Sequence, residues 1–84
     1  MKRNETLYEI ARYYKENNIS VHITLISGKW LNGFISNVNE DFKDRLVLFE
    51  EKFGEMLILF DRIIDDGIEP REKKESREWK KKLN

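Results

Sequence analysis

The sequence predicts a mainly β domain in which one N-terminal helix precedes five short strands, bent sharply enough to curl into a small barrel. Two observations carry that reading. Apolar residues recur at helical spacing as far as Asn17 and then switch to alternation, the period of a strand. Within the alternating part, Leu25-Ile26-Ser27-Gly28-Lys29-Trp30-Leu31-Asn32-Gly33-Phe34-Ile35 enters a Ser-Gly-Lys turn and leaves it again with one glycine inside the second strand. A glycine there marks a bulge, a bend or the close approach of another backbone. A strongly bent second strand is what lets a very small sheet close on itself.

The first element is a helix over about 6–17. Thr6 with Glu9 three residues on forms a capping-box pattern. Leu7, Ile10, Ala11 and Tyr14 then share one face, and Asn17-Asn18 supplies a stop. Tyr13 beside Tyr14 reads as a half-exposed neighbour of a core residue. Ile19, Val21, Ile23 and Leu25 alternate with Ser20, His22 and Thr24, which gives a strand over about 19–27 with His22 on its polar face.

The second strand runs over about 30–38, bent at Gly33, and a polar loop follows up to Asp44. The third strand is expected over about 46–52 and the fourth over about 55–60, with Gly54 giving the positive φ of the turn between them. A short corner at Asp61-Arg62 leads to a fifth strand over about 63–69, which Pro70 ends. Residues 1–70 thus form the barrel with its helix, and residues 71–84 form a charged helix or tail.

Composition limits what such a chain can do. With 84 residues there is room for one small core. Charged residues make up 38% and hydrophobic ones 39%, so the apolar residues must be concentrated, as they are between Leu7 and Ile68. No stretch approaches the roughly 18 apolar residues of a membrane-spanning helix, so no membrane partner is expected, and the polar N-terminus is not expected to be a signal peptide. The absence of cysteine excludes disulfides and thiolate metal sites and agrees with a reducing, cytoplasmic location. Glutamine is missing while Lys, Glu, Arg and Ile abound, a bias of heat-adapted proteins that seven asparagines oppose.

The net charge is zero but unevenly spread. Residues 40–66 hold nine acids against four bases, and residues 71–84 hold seven bases against three acids. General nucleic-acid binding leans on clustered Lys and Arg, so any such role here is local.

One helix and five short strands is the order of an Sm-like domain, a small bent SH3-type barrel, and the chain resembles that family at particular residues. The first Sm motif places a leucine, a glycine three later, a glycine five after that, and an aliphatic residue two beyond. Leu25, Gly28, Gly33 and Ile35 match it. The resemblance spans about residues 5–69. It implies an RNA-binding or RNA-associated module, assembled as a ring by pairing of the fourth and fifth strands between subunits.

The chain departs from the family where the uridine pocket is built. Asn39, Phe42 and Lys43 stand where the family has Asp and a Met-Asn pair. The second motif's Arg-Gly is replaced by Leu59-Phe60 or Phe60-Asp61, and Asp44-Arg45 looks like a small insertion.

Residue chemistry gives the candidate sites. Phe42 can stack on a base, Asn39 can bond its edge and Lys43 can neutralise phosphate. With Arg62 these form the candidate RNA site, although Glu40 and Asp41 in the same loop repel phosphate. The alternative is an ordinary loop with Phe42 tucked into the barrel end. Met56, Leu57, Ile58, Leu59 and Phe60 form an unbroken apolar strand, a pattern of burial on both faces. Either the first helix or the tail covers its outer face, or a neighbouring subunit pairs along it.

His22 has no partner ligand at metal spacing, and Asp65-Asp66 and Glu50-Glu51 read as turns or solvated strand ends. No nucleophile–base or acid–base set is visible, so no catalysis, cofactor or small-molecule substrate is expected. The basic tail with Trp79 and Leu83 is a solvated end, a phosphate contact, or a segment that docks on the barrel or a partner. Two functions follow: a homo-oligomeric RNA-associated ring that contacts single-stranded RNA, or an adaptor that docks on a larger protein by strand addition.

Overall fold

A computed structural model describes residues 3–72 of the chain. It contains α1 (Arg3–Glu16), β1 (Val21–Leu25), β2 (Trp30–Val38), β3 (Arg45–Glu50), β4 (Gly54–Leu59), a single 3₁₀ turn (Phe60–Arg62) and β5 (Ile63–Pro70). The strands form one antiparallel sheet in the order β4-β3-β2-β1-β5. The chain is mainly β, with an N-terminal helix ahead of a five-stranded, strongly bent sheet. Most of the charged 71–84 segment lies outside the described residues.

The bend is made in β2. Its first half pairs with β1 and its second half with β3, and Gly33 is paired on both sides, to Val21 and to Glu50. A Cβ on Gly33 would lie 2.1 Å from the Phe49 carbonyl oxygen. Only glycine lets the backbone of β3 approach that closely. A register shift between Ile35 and Asn37 adds a second irregularity to β2.

Strand alternation then sorts the side chains. Val21, Ile23, Leu31, Ile35, Leu46, Leu48, Ile58, Phe60, Ile63 and Ile68 point inward, and Leu7, Tyr8 and Ala11 of α1 close the core from one end. Phe60 is fully buried in the 3₁₀ turn. Phe60 N–H donates to Asp44 C=O at 2.8 Å, so the β4–β5 corner is stitched to the end of the β2–β3 loop. Burying a side chain of this size stabilises by about 1.5–3 kcal/mol.

The helix begins a turn earlier than its capping pattern predicts, so Thr6 lies inside it. The reason is a long-range anchor. Arg3 donates from Nε to Asp65 Oδ1 at 2.9 Å and from Nη1 to Phe60 C=O at 2.9 Å, and its Nη2 donates to Ile63 C=O. The other end follows the sequence: Asn18 takes a left-handed φ of 52°, and Asn17 Nδ2 donates to Tyr13 C=O at 2.8 Å. Gly54 likewise has the positive φ expected of its turn, 80°.

Two polar residues expected at solvent are buried. His22, on the outer side of β1, is only 8% exposed. Its Nδ1 pairs with Asn32 Oδ1 at 2.7 Å, and its ring stacks on Trp30 with centroids 5.5 Å apart. Glu50 is not a solvated strand end either. Its Oε2 accepts from Lys52 N–H at 2.6 Å and Phe53 N–H at 2.8 Å, capping the β3–β4 turn from within.

Candidate functional site

The β2–β3 loop is shaped by its own asparagine. Asn39 Oδ1 accepts from Asp41 N–H at 3.0 Å and Phe42 N–H at 2.8 Å, and Lys43 N–H returns to Asn39 C=O at 2.9 Å. An Asn side chain that mimics a backbone turn is a common way to hold a tight loop. Lys43 takes a left-handed φ of 53° as the chain leaves it. Asn39 therefore spends its side-chain oxygen on the loop, leaving only its amide nitrogen to meet a base edge.

Phe42 is held outward at 71% exposure, not tucked into the barrel end. The Arg45 guanidinium sits 5.6 Å from its ring centroid, and Arg45 is itself locked to Asp44 through Nε and Nη2 at 2.8 and 3.0 Å. This pair holds the Asp44 carboxyl below its ordinary value, because Arg45 bonds and attracts its charged form. A ring flanked by a guanidinium and open on its outer side is a ready stacking platform.

Lys43 goes elsewhere. Its Nζ lies 5.1 Å from the Tyr8 ring centroid, in a hollow of about 410 Å³ that Glu5 and Glu9 also line. Those two carboxylates compete with phosphate for the ammonium. Arg62 is exposed on the 3₁₀ turn, which the Phe60–Asp44 bond keeps next to the loop. Asn39, Phe42 and Lys43 thus share one loop, with Arg62 on the adjoining corner. The hollow beside them, between Asn39, Arg45 and Leu57, measures about 130 Å³, well below the ~300 Å³ at which small-molecule pockets begin. Stacking on the surface suits this site better than enclosure.

The two sheet edges are the second candidate. β4 ends at Leu59, so Phe60 of the expected strand lies in the 3₁₀ turn. Met56 and Ile58 on β4 turn toward the chain's own core, and Ile58 and Phe60 are buried there, so their side chains cannot cover a neighbour. Leu57 and Leu59 face outward, 61% and 39% exposed. The first helix does not cover them, since α1 packs on β2, β5 and β3. At the opposite edge β5 presents Ile64 outward. Among the described residues β4 is paired only to β3 and β5 only to β1, so both outer edges of the described sheet are open.

Sequence reasoning missed the aromatic outer face. Trp30 and Phe34 share the outward parity of β2, and Phe34 lies directly across from Phe49 on β3. The signal was present, since the alternation that sends Leu31 and Ile35 inward sends Trp30 and Phe34 out. Among the described residues no cluster of His, Cys, Asp and Glu could hold a metal ion, and no helix is long and apolar enough to cross a membrane.

No protein-family profile matches the chain, and no curated protein matches it in sequence. Among solved structures it is similar to a crystal structure of Hfq, described as a pleiotropic translational regulator, with a TM-score of 0.60 and 17% identity. The match covers 70% of this chain and 92% of that one. The order of one helix and five antiparallel strands, the glycine bend in β2 and this superposition agree: the chain has the Sm-like fold.

Proposed function

We propose that the chain is a non-catalytic, RNA-associated Sm-like module that works in the cytoplasm as a closed homo-oligomer. The observation that carries the reading is the pair of open edges at the two ends of one curved sheet. An edge of one kind meeting an edge of another is a head-to-tail contact, and such contacts close into rings when the rotation allows. Leu57 and Leu59 on β4, with Met56 behind them, and Ile64 on β5 provide the apolar cover for that seam. Ring closure repeats the loop of Asn39, Phe42 and Lys43 and the corner of Arg62 around one axis. The structural neighbour's description as a translational regulator supports an RNA-linked role.

On this reading Phe42 stacks on a base of single-stranded RNA, Arg62 meets phosphate, and Asn39 contributes through its amide nitrogen. The test is a titration of the intact oligomer with labelled oligo(U) and oligo(A) at low salt. Binding that weakens as salt rises, and that Phe42→Ala with Arg62→Ala removes, supports the reading. No binding by an intact oligomer at low salt overturns the RNA part.

A second reading has its own observation. Trp30, Phe34 and Phe49 are exposed on one outward face, Phe34 directly across from Phe49, and exposed apolar side chains gathered on one face mark a protein partner as readily as a nucleic acid. An adaptor that docks there, or by strand addition along β4, on a larger protein retains function when Phe42 and Lys43 are both changed to alanine.

A further inference from the structure

An open groove of about 500 Å³ runs between α1 and β5, away from the β2–β3 loop. Its floor is apolar, with Ile10 and Tyr14 on the helix and Pro70 at the end of the strand, and its strand-side rim is acidic, with Asp65, Asp66 and Glu69. Among the described residues the one cation lining it is Arg3, which is bonded to Asp65 and to two backbone carbonyls.

The rest of the chain has the complementary chemistry. Residues 73–84 carry six bases and two acids, a net +4, whereas residues 1–72 carry ten bases and fourteen acids, a net −4. Trp79 and Leu83, four apart, are the large apolar side chains of that segment. The chain also leaves the barrel at the groove: Pro70 lines it, and Arg71 N–H donates to Ser20 C=O at 2.9 Å, fixing the exit beside the end of α1. Trp79 is nine residues beyond Pro70, a reach of up to about 30 Å when extended. The helix from Arg3 to Tyr14 is only about 16 Å long.

We propose that residues 73–84 dock in this groove on their own barrel, with Trp79 and Leu83 against Ile10 and Tyr14 and the lysines along the acidic rim. The outer aromatic face of Trp30, Phe34 and Phe49 is the competing apolar surface, and signal changes at Phe34 and Phe49 distinguish it from the groove. Docked in the groove, the lysines are withheld from other polyanions until one competes for them. Occupancy of the groove needs neither RNA nor a ring, so this inference and the proposed function fail separately.

The chain has no cysteine, so Asn84→Cys accepts a single nitroxide label. Isotope-labelled, nitroxide-tagged full-length chain is refolded with an excess of untagged, unlabelled chain, leaving only effects within one subunit. At low salt the amide signals of Ile10, Tyr14 and Glu69 lose intensity, and they recover at high salt and in Lys80→Glu/Lys81→Glu/Lys82→Glu. Intensity lost instead at Phe34 and Phe49, intensity lost nowhere on the barrel, or a loss that disappears on dilution with untagged chain overturns the proposal. The amide spectrum itself reports that the tagged chain is folded.

Discussion

Gly33 and Phe49 are so close across the β2–β3 pair that a methyl group on Gly33 would sit 2.1 Å from the Phe49 carbonyl oxygen. No side chain can yield there, because the obstacle is backbone. Gly33→Ala must push β3 away at the residue where β2 is paired on both sides. The expected cost is about 1–3 kcal/mol or more, read as a lower urea midpoint. An unchanged midpoint would show that the bend does not depend on this contact.

Arg3 ties the start of α1 to the β4–β5 corner. Its guanidinium reaches two carbonyls at the β4–β5 corner as well as the exposed Asp65 carboxylate. Hydrogen bonds from a charged donor contribute about 1.5–3 kcal/mol, whereas a solvent-exposed ion pair adds about 0–1. Arg3→Ala therefore lowers stability clearly in chemical denaturation, while Asp65→Asn changes it little. Equal losses from the two variants would place the stabilisation in the ion pair.

Acid should weaken the β3–β4 turn first. Burial works to raise the Glu50 carboxyl, but the N–H groups of Lys52, Phe53 and Asn32 favour the charged form, and the net result lies below its ordinary value. With the folded pKa below the unfolded one, this stabilisation is fully present above the ordinary glutamate value of about 4.3. It is lost as pH falls through the lower folded value. Asp44, lowered by Arg45, acts in the same direction. Thermal unfolding followed from neutral pH downward should show a falling Tm below that range, with a shallower fall in Glu50→Gln.

Leu57→Glu should separate subunits without unfolding them. Leu57 faces outward opposite Val47 and has no role in the chain's own core. Removing one such side chain from a seam costs about 1.5–3 kcal/mol per contact, before the added carboxylate is counted. Circular dichroism should be unchanged while the mass in solution falls. Ile58→Glu, by contrast, should unfold the monomer, because Ile58 is core.

What the sequence made legible was local. Alternation located the first two strands and short apolar runs between turn signals the later ones, Gly33 announced the bend, and Asn18 and Gly54 take the positive φ values their positions implied. What escaped was set by partners far along the chain. The helix starts before Thr6 because Arg3 finds carbonyls 57 and 60 residues away. His22 and Glu50 are polar residues buried by satisfying neighbours, which a pattern of apolar and polar letters cannot express. The unbroken apolar run of β4 hid two faces with different fates: Ile58 and Phe60 fill the core, and Leu57 and Leu59 are left outside it. In the candidate RNA loop, sequence named the residues but not that Asn39 would be spent on the turn or Lys43 on Tyr8.

Molar mass in solution, by light scattering coupled to size exclusion at moderate salt, tests the central claim most directly. A ring closed through β4 and β5 gives one discrete multiple of the 10.2 kDa chain, which Leu57→Glu collapses to the single-chain mass. A monodisperse peak at 10.2 kDa for the unaltered chain would contradict the ring and remove the repeated Phe42 site on which the RNA-associated reading depends.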